Sequence, residues 1–434
     1  MAYLVSSLYN IADQIFVGQK LGTVGNAATN VAFPLVLLMV TFSATLGSGG
    51  SSQFSLFLGA GQREKAGQVV GNSLTALAAA GLVLMGVTLV FLQPMMLLFG
   101  AKGETLELAS AYTGIVVFGI PFQILSSGGS MFIRADGSPK YAMLATSSGA
   151  VLNFILDPVF IFVLDLGIEG AALATIIGQA ISGVTVVCYF RRFRSVPLKK
   201  ECFRPRGQTL KTICILGLPA GLMQLAVMAV QIVMNNTLGH YGELSVYGRD
   251  IPLAVSGVVS KISAIFSAAI MGIAQSCQPI FGYNYGAGQY GRVKQTLRYT
   301  LVLVSAVSAA AFLLFQLFPH PILKIFQRGD ELYLQFGTGY LRVFMGCMFL
   351  NGISVLASNF FPSIGRAKEG VLASLSRQVL FQLPLIVLFP LIWGLDGVLY
   401  AGPVADVAAA ALCSLLLWKT GNRLGVKSVS PQDG

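Results

Sequence analysis

The chain has 434 residues, 55% hydrophobic and 10% charged, with a formal net charge of +11 and a mean hydropathy of +0.75. Soluble domains carry about 25% charged residues, so a soluble globular protein is excluded and the expected class is an all-α integral membrane protein. The positive charge does not point to nucleic acid, because the basic residues sit in short segments between apolar runs, where they set orientation across a bilayer.

Apolar runs of helical length, without the period-two alternation of barrel strands, recur along the whole chain. They predict twelve spans near residues 1–17, 31–57, 73–99, 108–133, 141–164, 171–190, 211–238, 252–274, 296–318, 333–360, 371–393 and 398–418. Residues 1–17 do not read as a signal peptide, since no basic leader precedes them and Asp13 interrupts the apolar run. They reach only ~25 Å against a ~30 Å core, so the complete first helix is expected to begin upstream of Met1. If the loop at 191–206 is cytoplasmic, 21 of the 28 Lys and Arg residues, counting span ends within about two turns such as Arg377, fall on that side and 5 on the other, with Lys261 and Arg342 inside spans. That bias predicts a cytoplasmic C-terminus, and the expected location is the plasma (inner) membrane.

The chain repeats itself. LGAGQREKAGQVVGNSL from Leu58 resembles YGAGQYGRVKQTLRYTL from Tyr285, and LGIEGAAL from Leu166 resembles WGLDGVLY from Trp393, both at an offset of 227. An even number of spans per repeat keeps the halves in one orientation, related by an axis along the membrane normal with a cavity between them. The expected division is an N-terminal lobe at 1–193, a basic cytoplasmic linker at 194–210 holding Pro197 and Pro205, a C-terminal lobe at 211–421 and a cytoplasmic tail at 422–434.

Polar residues inside spans are costly and mark functional candidates. The first span carries Tyr9, Asn10 and Asp13, with Tyr9 and Asp13 one turn apart. Gln123 in the fourth span is a candidate for lining the substrate cavity. The fifth span holds Asn153 and Asp157 one turn apart, followed by Pro158, which cannot donate to the carbonyl of Phe154 and is a candidate hinge. After the polar turn at 165–170 the sixth span presents Thr175. Counting from that turn at about 1.5 Å per residue, Asp157 lies roughly 12 Å deep and Thr175 roughly 8 Å, so the two are expected to face each other. Asp13 is also in the outer half of its span, and every Lys and Arg of the first half lies in a loop. Two desolvated carboxylates at one site either share a proton or hold a mobile cation, which suits coupling to H⁺ or Na⁺ rather than a tightly bound metal. The competing reading is structural: an aspartate paired with Lys261 across the halves, or Asp13 at a wet helix end.

In the second half the in-span polar residues are Asn235, Asn236, Lys261, Gln275, Gln278 and Asp406. Lys261 either lines the cavity or forms a buried structural pair with Asp406. Arg342 reads as interfacial, and Met131, Met271 and Met345 as packing or lipid-facing residues. Six cysteines (Cys188, Cys202, Cys214, Cys277, Cys347, Cys413) lack C-x-x-C spacing, and His240 and His320 fall in loops, so neither a zinc site nor an in-membrane acid–base histidine is indicated. GAGQ at 59–62 and 286–289 reads as a helix stop with a left-handed glycine. No P-loop is present, which argues against an ATP-driven pump.

The patterns Y-N-x-x-D-x-x-F-V-G at 9–18, G-I-P at 119–121, F-I-R-A-D-G-S-P-K at 132–140, N-x-x-L-D-P at 153–158, G-I-E-G-A-A-L-A-T at 167–175 and Q-P-I-F-G-Y-N-Y-G-A-G at 278–288 resemble the multidrug and toxic compound extrusion (MATE) family, and most closely its prokaryotic branch with an acidic N-lobe cation site. The resemblance spans essentially the whole chain. It implies twelve helices in two six-helix lobes arranged as a V, alternating access, and export of small amphipathic, often cationic, compounds against H⁺ or Na⁺. No cofactor is expected, and a two-lobe transporter can work as a monomer. It places the cation site on Asp13, Asn153, Asp157 and Thr175, with Tyr9 adjacent. Two departures stand out: the family's bend at a first-helix proline does not transfer, and Asn235 and Asn236 stand where other branches carry C-lobe acids. A flippase for a lipid-linked precursor is the alternative within transport, disfavoured because Lys261 is the one clear basic candidate for a cavity. A membrane-embedded enzyme lacks a catalytic constellation here, and a non-transporting scaffold would not need converging carboxylates.

Overall fold

The computed structural model describes residues 16–20, 25, 27–326 and 331–429. All regular structure among them is helical. In the first half run α1 (Phe33–Gly59), α2 (Arg63–Val90), α3 (Glu104–Val116), α4 (Ile120–Ala135), α5 (Pro139–Pro158) and α6 (Gly167–Phe190). The second half holds α7 (Gly207–Glu243), α8 (Asp250–Gly286), α9 (Tyr290–Leu317), α10 (Glu331–Phe344), α11 (Asn351–Ser363), α12 (Ala367–Leu375) and α13 (Leu395–Val429). Ten helical stretches among the described residues are long and apolar enough to cross a membrane, and α10 with α11 forms an eleventh, bent by 40°. The predicted first span at 1–17 lies outside the described residues apart from Phe16 and Val17.

The repeat seen in the sequence is also a repeat of helix boundaries. α1 and α8 end in the same three-bond stop: Ala60, Gly61 and Gln62 donate to Leu56, Leu58 and Phe57, as Ala287, Gly288 and Gln289 donate to Tyr283, Tyr285 and Asn284. Gly61 and Gly288 take the left-handed conformation, at φ +74° and +71°, that such a stop requires. α2 and α9, which follow, are both 28 residues long. The fifth span of each half also widens into a π-helical stretch, at Val159–Val163 and at Ser376–Gln382.

Lipid supplies no hydrophobic drive between helices, so their association rests on close packing of small residues. Gly47 crosses Gly128 so closely that a Cβ at Gly47 would come within 2.7 Å of the Gly128 Cα. A Cβ at Gly149 on α5 would come within 2.1 Å of the Gly178 carbonyl oxygen on α6. The sixth span starts at Gly167, inside the turn predicted for 165–170, and Asp165 takes φ +54° to make that turn.

The chain packs as two units, Met1–Gly221 and Leu222–Gly434. The division therefore falls inside α7, later than the linker at 194–210. The linker itself belongs to the first unit: Asn72 donates to the carbonyls of Cys202 (3.0 Å) and Arg204 (3.1 Å), and Asp136 accepts from the backbone N–H of Ser195 (2.8 Å).

Candidate functional site

The site is built where α5 crosses α6. Gly149, Asn153 and Asp157 lie four residues apart along one face of α5. The glycine contact at Gly149 and Gly178 brings the two backbones together one turn before Asn153, and Asn153 is thereby carried to Thr175. Asn153 Nδ2 donates to Asp157 Oδ1 at 3.2 Å and to Thr175 Oγ1 at 3.5 Å. The Thr175 hydroxyl spends its own proton on the Ala171 carbonyl at 2.9 Å, which turns its lone pairs toward Asn153. Asn153 and Asp157 are 3% and 1% exposed. The buried Asn153 Oδ1 has no hydrogen-bond partner among the described residues. A buried carboxylate, a buried carboxamide and a half-buried hydroxyl thus meet through the Asn153 Nδ2, with the Asn153 Oδ1 left over, a set of side chains suited to a proton or, once the carboxamide turns its oxygen inward, a hard cation.

At Pro158 the α-helical ladder ends and the chain continues through the π turn Val159–Val163. The predicted hinge position is the junction between two helical geometries. Tyr9, Asn10 and Asp13 lie outside the described residues. Phe16 packs on Phe154 and Phe162, with ring centroids at 5.8 and 6.3 Å, and Val17 is buried with Ile161 and Ala171. Gln179, one turn after Thr175 on α6, buries its Oε1 without a hydrogen-bond partner among the described residues. Sequence reading missed it, although its spacing from Thr175 was the available signal. Gln123 bonds within its own helix to Ser127 at 3.3 Å.

In the second unit one of the two alternatives for Lys261 falls away. Asp406, 3% exposed, does not pair with Lys261; its Oδ1 receives Arg377 Nε at 2.5 Å. Lys261 is exposed and makes no ion pair among the described residues. Arg377 reads in the sequence as a span-end cation, but α13 packs directly against the π stretch Ser376–Gln382, and this brings the guanidinium to the carboxylate. Gln278 is buried on α8, whereas Asn235 and Asn236 are exposed on α7, Asn235 accepting from Gln231 at 3.0 Å. Met131, Met271 and Met345 serve packing: Met131 reaches the Gly47 crossing, and the sulfurs of Met271 and Met345 accept from Asn359 and Ser263. Arg342 is exposed.

An internally duplicated, multi-pass helical protein with a buried carboxylate inside a span is the class that fold and site define: a membrane transporter, not an enzyme. The comparisons make this specific. The MatE family model matches residues 1–159 and 219–388, and the chain belongs to that family. It is 27% identical over 428 residues to the multidrug export protein MepA of Staphylococcus haemolyticus, covering 98% of this chain and 92% of that protein. To a MepA of Staphylococcus aureus it is 26% identical over 424 residues, with the same coverage. Among solved structures it is similar, with a TM-score of 0.87 and 34% identity, to the MATE multidrug transporter DinF-BH, covering 96% of this chain and 93% of that one. An outward-facing multidrug resistance MATE family transporter of the MOP superfamily gives a TM-score of 0.90 at 25% identity, covering 98% and 94%.

Proposed function

We propose that this protein is an H⁺- or Na⁺-coupled antiporter that exports small amphipathic, often cationic, compounds from the cell across the plasma membrane by alternating access, working as a monomer with its C-terminus in the cytoplasm. The observation that carries the reading is the buried Asn153–Asp157–Thr175 cluster, a carboxylate in a dry span with oxygen donors beside it. The multidrug export names of the relatives support the substrate class. Asp13 and Tyr9 complete the proposed cation site. In support, Phe16, three residues after Asp13, packs on Phe154, three residues before Asp157.

In this mechanism a proton or Na⁺ at Asp157 and Asp13 removes net negative charge. In the Na⁺ case Thr175 Oγ1 supplies a neutral oxygen, and Asn153 supplies Oδ1 by turning over the carboxamide that otherwise aims Nδ2 at Asp157. Discharge lets the first, fifth and sixth spans repack around the Pro158 junction and lowers affinity for a cationic substrate, which leaves outward. Gln123, Gln278, Asn10, Asn235 and Lys261 are the candidate substrate contacts, whereas Asp406 is taken up by its ion pair with Arg377. Moving a two-state equilibrium from 1:99 to 99:1 takes about 5.5 kcal/mol of differential binding, within the reach of one desolvated charge.

The test is efflux of a fluorescent lipophilic cation from proteoliposomes under an imposed pH or Na⁺ gradient, with Asp157→Asn alongside. Export driven by one gradient and abolished in the variant, with the variant folded and inserted, is the expected result. Normal transport by both Asp157→Asn and Asp13→Asn would sink the site assignment. No export under either gradient by folded protein would favour a lipid-linked precursor as the cargo.

A further inference from the structure

Residues 191–206 hold seven Lys and Arg against a single acid, Glu201. Topology asks only that such charges lie near the span ends, yet this segment is held in one conformation at both ends. At its start Asp136, 6% exposed, accepts from the backbone N–H of Arg194 at 2.9 Å and of Ser195 at 2.8 Å, and from the Tyr189 hydroxyl at 2.8 Å. At its end Asn72, 1% exposed, donates to the carbonyls of Cys202 and Arg204 and accepts from the Arg206 N–H at 2.6 Å. Between these, the Thr75 hydroxyl donates to the Phe203 carbonyl at 3.1 Å. Gly71 lies so close that a Cβ there would come within 2.3 Å of the Cys202 carbonyl oxygen.

The same contacts set a depth. α2 carries charge at Arg63, Glu64 and Lys65 and none from Ala66 to Val90. The apolar span that α2 opens is predicted to begin near residue 73, past the last charge at Lys65, and this sets the near edge of a hydrocarbon core about 30 Å thick. Contacts at Gly71, Asn72 and Thr75 therefore put residues 202–204 at the edge of the hydrocarbon, level with the lipid headgroups. There the Phe203 side chain is 39% exposed, with Lys199, Lys200 and Arg204 exposed on either side of it in the chain.

An aromatic ring flanked by cations at that level matches one kind of partner, with the ring in the acyl region and the cations on phosphate. We infer that residues 199–204 form a docking site for anionic phospholipid headgroups, held rigid by Asp136 and Asn72 so that little ordering accompanies binding. The inference is independent of the coupling ion and of the cargo.

The test titrates fluorescent phosphatidylglycerol, and separately fluorescent phosphatidylcholine, into the full chain in a neutral detergent. Phosphatidylglycerol is expected to bind the tighter. The triple variant Lys199→Gln, Lys200→Gln, Arg204→Gln weakens that binding on the order of a hundredfold, at roughly fivefold per basic residue near an anionic surface, with an unchanged unfolding temperature. Phe203→Ser weakens binding of both lipids. A control pair of exposed cations in the second unit, Arg292→Gln with Lys294→Gln, leaves it unchanged. Equal binding of the two lipids by the unaltered chain, or undiminished phosphatidylglycerol binding by the triple variant, would overturn the inference. So would displacement of the lipid by a single-stranded oligonucleotide of matched charge, which would reassign the surface to soluble polyanions.

Discussion

Replacing Gly149 with alanine puts a methyl group 2.1 Å from the Gly178 carbonyl oxygen and 2.2 Å from Ser182 Oγ, where ordinary contact begins at 3.4 Å. The carbonyl belongs to the backbone of α6 and cannot rotate away, so the two helices must part by about 1 Å at this crossing. Overpacking of this kind costs about 1–3 kcal/mol. For a unit the size of Met1–Gly221, that is a fall in unfolding temperature of about 2–12 °C. The same displacement acts one turn from Asn153, whose contact with Thr175 is already at the 3.5 Å limit, so cation coupling should weaken along with stability. Two companions grade the effect. Gly178→Ala meets the Gly149 carbonyl oxygen at 2.7 Å and should cost less, whereas Gly86→Ala meets nothing within 4 Å and should gain up to about 1 kcal/mol from the better helix former. Thermal unfolding of the purified protein in detergent reads all three. An unfolding temperature for Gly149→Ala equal to or above that of the unaltered chain would refute the argument that this crossing positions the site.

Removing one member of the buried Arg377–Asp406 pair leaves an uncompensated group, so Arg377→Met should cost about 3–5 kcal/mol, while Arg377→Met with Asp406→Leu should recover most of it; equal loss in the single and double variants would show that the pair is not what is being measured. Asp136→Ala and Asn72→Ala each release one end of the linker, and limited trypsin digestion should then cut within 191–206 faster than in the unaltered chain, an unchanged rate counting against the clamp. The exposed Asp165 carboxyl is held below its ordinary value of 3.8 by the hydrogen bond and charge of Lys20. A depressed carboxyl pKa stabilises above the ordinary value and loses its effect as pH falls through the lower, folded one. A spin-label distance from Gln19, beside the retained Lys20, to Glu169 at the α6 start should therefore hold steady above pH 3.8 and broaden below it, and Asp165→Asn should remove that dependence.

Part of this was legible without coordinates because it is local. The left-handed stops at Gly61 and Gly288 follow from a four-residue motif, and the shared face of Asn153 and Asp157 follows from a spacing of four in a helix. Thr175 came within reach because the turn before it is short, so depth along two adjacent helices could be counted from one point. Gln179 sat at the right spacing but carried no charge to draw attention to it.

What escaped were choices between partners on different helices. Lys261 and Arg377 are both cations with a claim on Asp406, and nothing in their sequence spacing separates them; the π stretch at Ser376–Gln382 and its packing against α13 decided for Arg377. The linker reads in the sequence as a basic domain boundary holding Pro197 and Pro205, but its carbonyls are answered by Asn72, which lies 130 residues from Cys202 in the chain. Composition, periodicity and the repeated segments determined that this protein is helical, duplicated and embedded in a membrane, since lipid leaves the backbone only helices or closed barrels and the apolar runs lack the alternation of barrel strands. Which buried groups meet was decided by tertiary structure, because the distance between two helices depends on which glycines coincide at their crossing, and that coincidence is written in no single segment.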